Sequence, residues 1–166
     1  IETTAIRNLI HNEEYCRKVL PFIKEEYFTD RLEKLIFTEI YGFVNKYNNL
    51  PTKESLSIEM NTNKGVSEDE YKKMNEIISS LNPEPINLDW LVETTETWCK
   101  DRAIHNAILG GIQILDGKDK DHTPEYLPEL LSEALSVSFD QKVGHDYLLE
   151  SKERYDYYNR KEERLE

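Results

Sequence analysis

The stretch that comes nearest to a chemical motif in this chain is Gly111-Ile112-Gln113-Ile114-Leu115-Asp116-Gly117-Lys118-Asp119. It has the outline of a phosphate-cradling loop, which wraps backbone N–H groups around phosphate oxygens and follows a strand. One residue too many separates its glycines, Asp119 stands where a magnesium-binding hydroxyl belongs, and the run before it has a helical period. No nucleotide site is expected in these residues. The four histidines, His11, His105, His122 and His145, have no His or Cys partner at the three- or four-residue spacing of a helix-borne metal site. His145-Asp146 could be a base and its orienting carboxylate, but adjacent turn residues face apart and no nucleophile motif accompanies them. The acidic pairs Glu13-Glu14, Glu25-Glu26 and Glu162-Glu163 read as solvated faces, because catalytic carboxylates converge across a cleft. Cys16 and Cys99 lie far apart without a CxxC and read as reduced, partly buried thiols. Trp90 and Trp98 read as core or interface anchors. The chemistry expected is protein recognition, with no catalytic residue, metal or cofactor of its own.

Composition supports that reading. Thirty-three acidic against 21 basic side chains give a formal charge of −12 over 166 residues, spread along the chain, so the surrounding field repels polyanions. Direct binding of nucleic acid is disfavoured, and a cationic protein surface is a partner of the right sign. Apolar residues make up 38% and glycine and proline number six each, which suits a folded helical protein with a wet surface. The chain opens on Ile1-Glu2-Thr3-Thr4, with no leader pattern and no 18-residue apolar run, and is read as a cytosolic piece of a longer protein that meets no membrane.

The elements that must position these residues are helices. Ala5, Ile6, Leu9 and Ile10 share one face of a short first helix, and Asn12 caps a second that should stop near Pro21. Asp30 with Glu33 has the form of a loose capping box opening a long amphipathic helix through Leu32, Leu35, Ile36, Ile40, Phe43, Val44 and Tyr47. Thr52 can cap a two-turn helix carrying Leu56 and Met60. Ser67 with Glu70 forms a true capping box before Tyr71, Met74, Ile78 and Leu81. Asn82-Pro83-Glu84-Pro85 forbids a continuous helix, and the boundary of a helical head, 1–82, is placed there.

From the Asn87 cap, 88–115 reads as one helix of roughly 42 Å at the α-helical rise, softened at Gly110-Gly111. Its apolar residues cover more than one narrow stripe, so it has more than one neighbour. Thr123-Pro124 supplies an N-cap and a first-turn proline for a returning helix through Leu127, Leu130, Leu131, Ala134, Leu135 and Val137. The expected architecture is all-α: a globular head, a long antiparallel hairpin over 87–138, and a C-terminal linker helix in 139–166. A lone hairpin has little core, and two can cure this by packing face to face. The expected self-association surface is Trp90, Leu91, Trp98, Ile104, Ile108, Ile112, Leu127, Leu131 and Leu135. Tyr147, Leu148, Tyr155 and Tyr158 of the charged final segment are expected to dock on something further along.

A resemblance adds to this. Pro21-Phe22-Ile23-Lys24-Glu25-Glu26-Tyr27-Phe28, then Ile36-Phe37-Thr38-Glu39-Ile40 and the Leu50-Pro51 stop, resemble the head of the N-terminal domain of DnaB-like replicative helicases. The run Leu135-Ser136-Val137-Ser138-Phe139-Asp140-Gln141-Lys142-Val143-Gly144-His145-Asp146-Tyr147 resembles the end of that domain in T-even-type tailed phages. Trp90-Leu91-Val92, Thr95-Glu96 and Arg102-Ala103 are similar to the phage version too. The resemblance implies a collar of paired hairpins on a six-subunit ring around one DNA strand, with the final helix docked on a neighbour's ATPase motor. It also implies recruitment of primase and a helicase loader, and a parent that is an ATP-dependent replicative helicase in the cytoplasm of an infected bacterium. ATP and Mg2+, and most DNA contacts, would belong to the motor, whose motifs are not in these residues. The reading that competes is a free-standing acidic regulator, such as a DNA mimic that occupies a basic protein surface, for which the charge of −12 speaks.

Overall fold

A computed structural model describes residues 1–139. Within them run α1 (Glu2–His11), α2 (Glu13–Val19), α3 (Arg31–Tyr47), α4 (Lys53–Asn61), α5 (Glu68–Ser80), α6 (Leu88–Leu115) and α7 (Leu127–Leu135), with 3-10 turns at Leu20–Phe22, Glu25–Tyr27 and Pro124–Tyr126. No strand occurs among the described residues, and the all-α class stands. The expected linker helix falls outside the described residues.

Side-chain caps start most of these helices. Asn12 accepts from the Tyr15 amide at 3.0 Å, Asp30 from Glu33 at 2.9 Å and Asn87 from Trp90 at 2.9 Å, each satisfying an amide the helix leaves without a partner. The Ser67–Glu70 box closes both ways, and Thr52 forms a second such box with Ser55. Asp30 and Glu33 form no reciprocal box. The Glu33 carboxylate instead accepts from the Thr3 hydroxyl at 2.8 Å, tying α3 to α1, and burial raises its pKa. Thr123 does not cap α7 either: its hydroxyl donates to the Glu125 carboxylate, residues 124–126 wind tightly, and α7 begins at Leu127 with Pro128 in its first turn.

The core cluster gathers Ile6, Leu9, Tyr15, Val19, Ile36, Ile40, Leu56, Met74 and Leu81 from α1 to α5, and it does not stop at Pro83 and Pro85. Leu91, Trp98 and Cys99 of α6 join it. Together with Thr95 they stand at i, i+4, i+7 and i+8, one helical face turned wholly inward. Trp98 meets Phe28 and Tyr27 edge to face, at centroid distances of 5.0 and 6.2 Å. Polar ties reinforce the seam: Arg102 Nε donates to the Tyr27 carbonyl at 2.8 Å, and Asn106 Nδ2 donates to that of Glu26 at 3.0 Å. The first half of α6 is therefore built into the head.

Beyond Asn106, α6 packs among the described residues against α7 and the 3-10 turn Pro124–Tyr126. An added Cβ at Gly111 would meet Leu127 Cδ2 at 3.1 Å, and one at Gly110 would meet Leu130 Cδ2 at 3.7 Å. The two glycines thus let α7 approach closely, while Ala103, Ala107, Leu130, Ala134 and Val137 line one cleft further toward the head. After α7 the chain returns to the head, where Phe139 is buried and stacks on Phe22 at 4.7 Å.

Candidate functional site

The uncovered flank of α6 is the surface that calls for an occupant. At about 100° per residue, Trp90, Thr97, Ile104, Ile108 and Leu115 fall within a sector of about 40°, with Asp101 and Ile112 just beyond its edge. Ile108, Ile112 and Leu115 are 51%, 50% and 66% exposed, and Trp90 is 54% exposed one face away from the buried Leu91. Leu131 and Leu135 of α7 are also exposed, the latter at 69%. Single exposed apolar side chains are ordinary, but a contiguous row on one helix marks an interaction surface.

Of the residues expected on a self-association surface, Trp90, Ile108, Ile112, Leu131 and Leu135 are exposed and Ile104 is half-buried. Leu127 is half-buried against Gly111 within the same chain. Leu91 and Trp98 are corrections: they are 0% and 8% exposed inside the head's own core and cannot meet a partner without unfolding it. Hydropathy says that a side chain leaves water and not which surface takes it up, so sequence reasoning gives both the wrong neighbour. Leu115 and Leu109 belong to the exposed set and are missing from the expected one. Leu115 is legible from its spacing, seven residues after Ile108 on the same stripe, whereas Leu109 points elsewhere and only the packing shows it bare. Tyr147, Leu148, Tyr155 and Tyr158 lie outside the described residues.

Elsewhere the chemistry is quiet. Gly111 sits inside α6 against Leu127, so the glycine run that resembles a phosphate loop is helix and turn, and the residues present do not fit ATP phosphates. A cavity of about 180 Å³ opens between α2 and the end of α3, lined by Cys16, Leu20, Val44, Asn45 and Asn48. Burial pushes the Cys16 thiol up to about 11, with Glu13 adding to it, and this holds it protonated and unreactive at neutral pH. His122 lies 3.0 Å from Asp119 and stacks on Tyr126, a local tie in the α6–α7 loop. No helix among the described residues is long and apolar enough to cross a membrane.

No family model matches the chain. Over 151 residues it is 32% identical to the DnaB-like replicative helicase of Enterobacteria phage T4, a match that covers 86% of this chain and 32% of that protein. The chain is a relative of a DnaB-like replicative helicase. It spans about a third of that relative's length. At this identity the two sequences have a common origin over the matched residues.

Proposed function

We propose that this chain is the helical collar module of a phage replicative DNA helicase, associating with copies of itself through the bare flank of α6 and α7. The observation that carries this reading is the row of exposed apolar side chains Ile108, Ile112 and Leu115, with half-buried Ile104 at its head-ward end, in a chain related to a DnaB-like helicase. Burial of such a row against a second copy removes apolar area from water at roughly 25 cal/mol per Å², and a closed symmetric assembly satisfies it without leaving a free end. The full protein would be an ATP-dependent helicase assembled as a hexamer, its ATP and Mg2+ held on a motor domain outside these residues. The collar would serve as the dock for primase and for a helicase loader, in the cytoplasm of the infected host. Its charge of −12 suits docking of cationic protein surfaces and leaves DNA to the motor.

Sedimentation equilibrium of the chain tests the self-association: a concentration-dependent dimer or larger species is expected, weakened by Ile112→Glu without loss of helicity. A chain that stays monomeric at millimolar concentration would sink this part. Retention of the phage's own primase on the immobilised chain tests the docking. The coding frame beyond Glu166 separates this reading from a free-standing acidic regulator, since a collar requires a downstream GxxxxGK[ST] loop.

A further inference from the structure

The cleft between α2 and the end of α3 has the chemistry of a seat for one amphipathic ring. Leu20 at the end of α2, Val44 of α3 and Leu50 beyond it are apolar walls, and Cys16 adds a sulfur. The rim is made of amides. Helix α3 ends on Asn48 at a φ of 51°, and this left-handed turn sets Asn48 and Asn49 at the cleft together with Asn45. Among the described residues the side-chain amides of these three asparagines form no hydrogen bond, and all three residues are exposed. The charged side chains at the mouth, Glu13 and Arg17, hold each other at 2.6 Å, so a charged occupant finds no free counter-ion. At about 180 Å³ the space is too small for a helix about 10 Å across and takes a single side chain. A phenol meets each of these demands: an apolar body, a ring edge that favours a neighbouring sulfur, and a hydroxyl that both donates to and accepts from amides.

The chain brings such a ring to the opening. Phe139, where the described residues end, is buried and stacks on Phe22 at 4.7 Å. The residue before Phe22 is Pro21, which lines the cleft. Residues 140–166 follow, and their aromatic side chains other than His145 are all tyrosines, at 147, 155, 157 and 158. Tyr147 stands eight residues past Phe139, a reach of up to about 27 Å. The effective concentration of a tethered group falls as its tether lengthens, which favours Tyr147 over the later three.

We propose that Tyr147 docks in this cleft of its own chain, its ring against Leu20, Val44 and Leu50 and its hydroxyl on the rim of Asn45, Asn48 and Asn49. The contact joins the start of the C-terminal segment to the head and fixes the side of the head from which the rest of the chain departs. It uses no residue of α6 or α7 and stands apart from the self-association proposed above. A tyrosine of a second copy meets the same cleft only at its bulk concentration, whereas a short tether supplies one on the order of millimolar.

Nuclear magnetic resonance of the whole chain tests the seat without any substitution. Nuclear Overhauser contacts are expected from the Tyr147 ring protons to the methyls of Leu20, Val44 and Leu50. In a mixture of labelled and unlabelled chains these contacts are expected to stay within one chain. Tyr147→Ala is expected to shift the side-chain amide signals of Asn45, Asn48 and Asn49, and Tyr158→Ala to leave them in place. Tyr147→Phe should keep the methyl contacts and still move the amide signals, because it retains the ring and loses the hydroxyl. Asn45→Trp, an exposed change that fills the opening, is expected to abolish the contacts, with circular dichroism showing the helices intact. A Tyr147 ring without contacts to the cleft, or with contacts only between copies, would overturn the proposal. So would Tyr155, Tyr157 or Tyr158 found there in its place.

Discussion

The hydroxyls of Tyr15 and Thr95 lie 2.7 Å apart in the buried seam between α2 and α6, eighty residues apart in sequence. Thr95 also donates to the Leu91 carbonyl at 2.7 Å, which commits its proton and makes Tyr15 the donor to Thr95. Loss of either group is therefore unequal. Thr95→Val strands a buried phenolic donor and should cost about 1–3 kcal/mol, whereas Tyr15→Phe leaves Thr95 bonded to Leu91 and should cost less. Urea unfolding of both single variants and the double measures this. A Thr95→Val chain no less stable than Tyr15→Phe would show that the seam does not depend on this bond.

Alkali should loosen the head. Burial raises the Cys16 thiol to about 11, the Cys99 thiol to about 12 and the Tyr27 phenol to about 12, and it raises Tyr15 further still. In each case the folded chain holds a proton that the unfolded chain, with thiols near 9 and phenols near 10, would release. The stabilisation is complete below about pH 9 and is lost as pH rises from there through about 12. The urea midpoint should be level near neutrality, fall above about pH 9, and fall less steeply in Cys99→Ala. A midpoint unchanged to pH 11 would contradict the burial of these groups.

The two tryptophans should behave as opposites. Trp98, packed on Phe28 and Tyr27, should cost about 3–5 kcal/mol when cut to alanine, while Trp90→Ala should change stability by no more than about 0.5 kcal/mol. Fluorescence separates them without unfolding: in Trp90→Phe the remaining emission should be blue-shifted and shielded from iodide. Equal quenching of Trp90→Phe and Trp98→Phe would mean that α6 is not seated in the head.

The neighbouring glycines make a sharper comparison. Alanine at Gly110 gains up to about 1 kcal/mol of helix propensity, and its Cβ meets Leu130 at an ordinary 3.7 Å, so Gly110→Ala should raise the melting temperature. At Gly111 the same Cβ comes within 3.1 Å of Leu127, whose methyl must yield, and part of the gain is lost. A melting temperature for Gly111→Ala above that for Gly110→Ala would mean that α7 does not lie as described.

Much of this chain is legible from its residues alone. The caps at Asn12, Ser67 and Asn87 announce themselves by residue type, because a side-chain oxygen ahead of an apolar period satisfies amides that the first turn cannot. The breaks at Pro51, Pro83 and Pro85 follow from a ring that fixes φ and lacks a donor. Where the residues mislead, distance is the cause. Glu33 sits correctly for a box with Asp30, yet Thr3 of α1 takes its carboxylate, a competitor no local window contains. Leu91 and Trp98 repeat at helical spacing as large apolar side chains just as Ile108 and Ile112 do, and only the packing of the head distinguishes them.

Local chemistry along the chain settles the helices and most of their ends, because capping, proline geometry and the 3.6-residue period act over a few residues. Which flank of α6 is sealed and which is bare is a matter of long-range packing. That choice depends on Phe28, Tyr27 and Tyr15 arriving from a distant part of the chain to cover Trp98 and Thr95, and on α7 being only nine residues long. A helix does not encode what lies beside it, so the bare face of α6 emerges once the neighbours have taken their places.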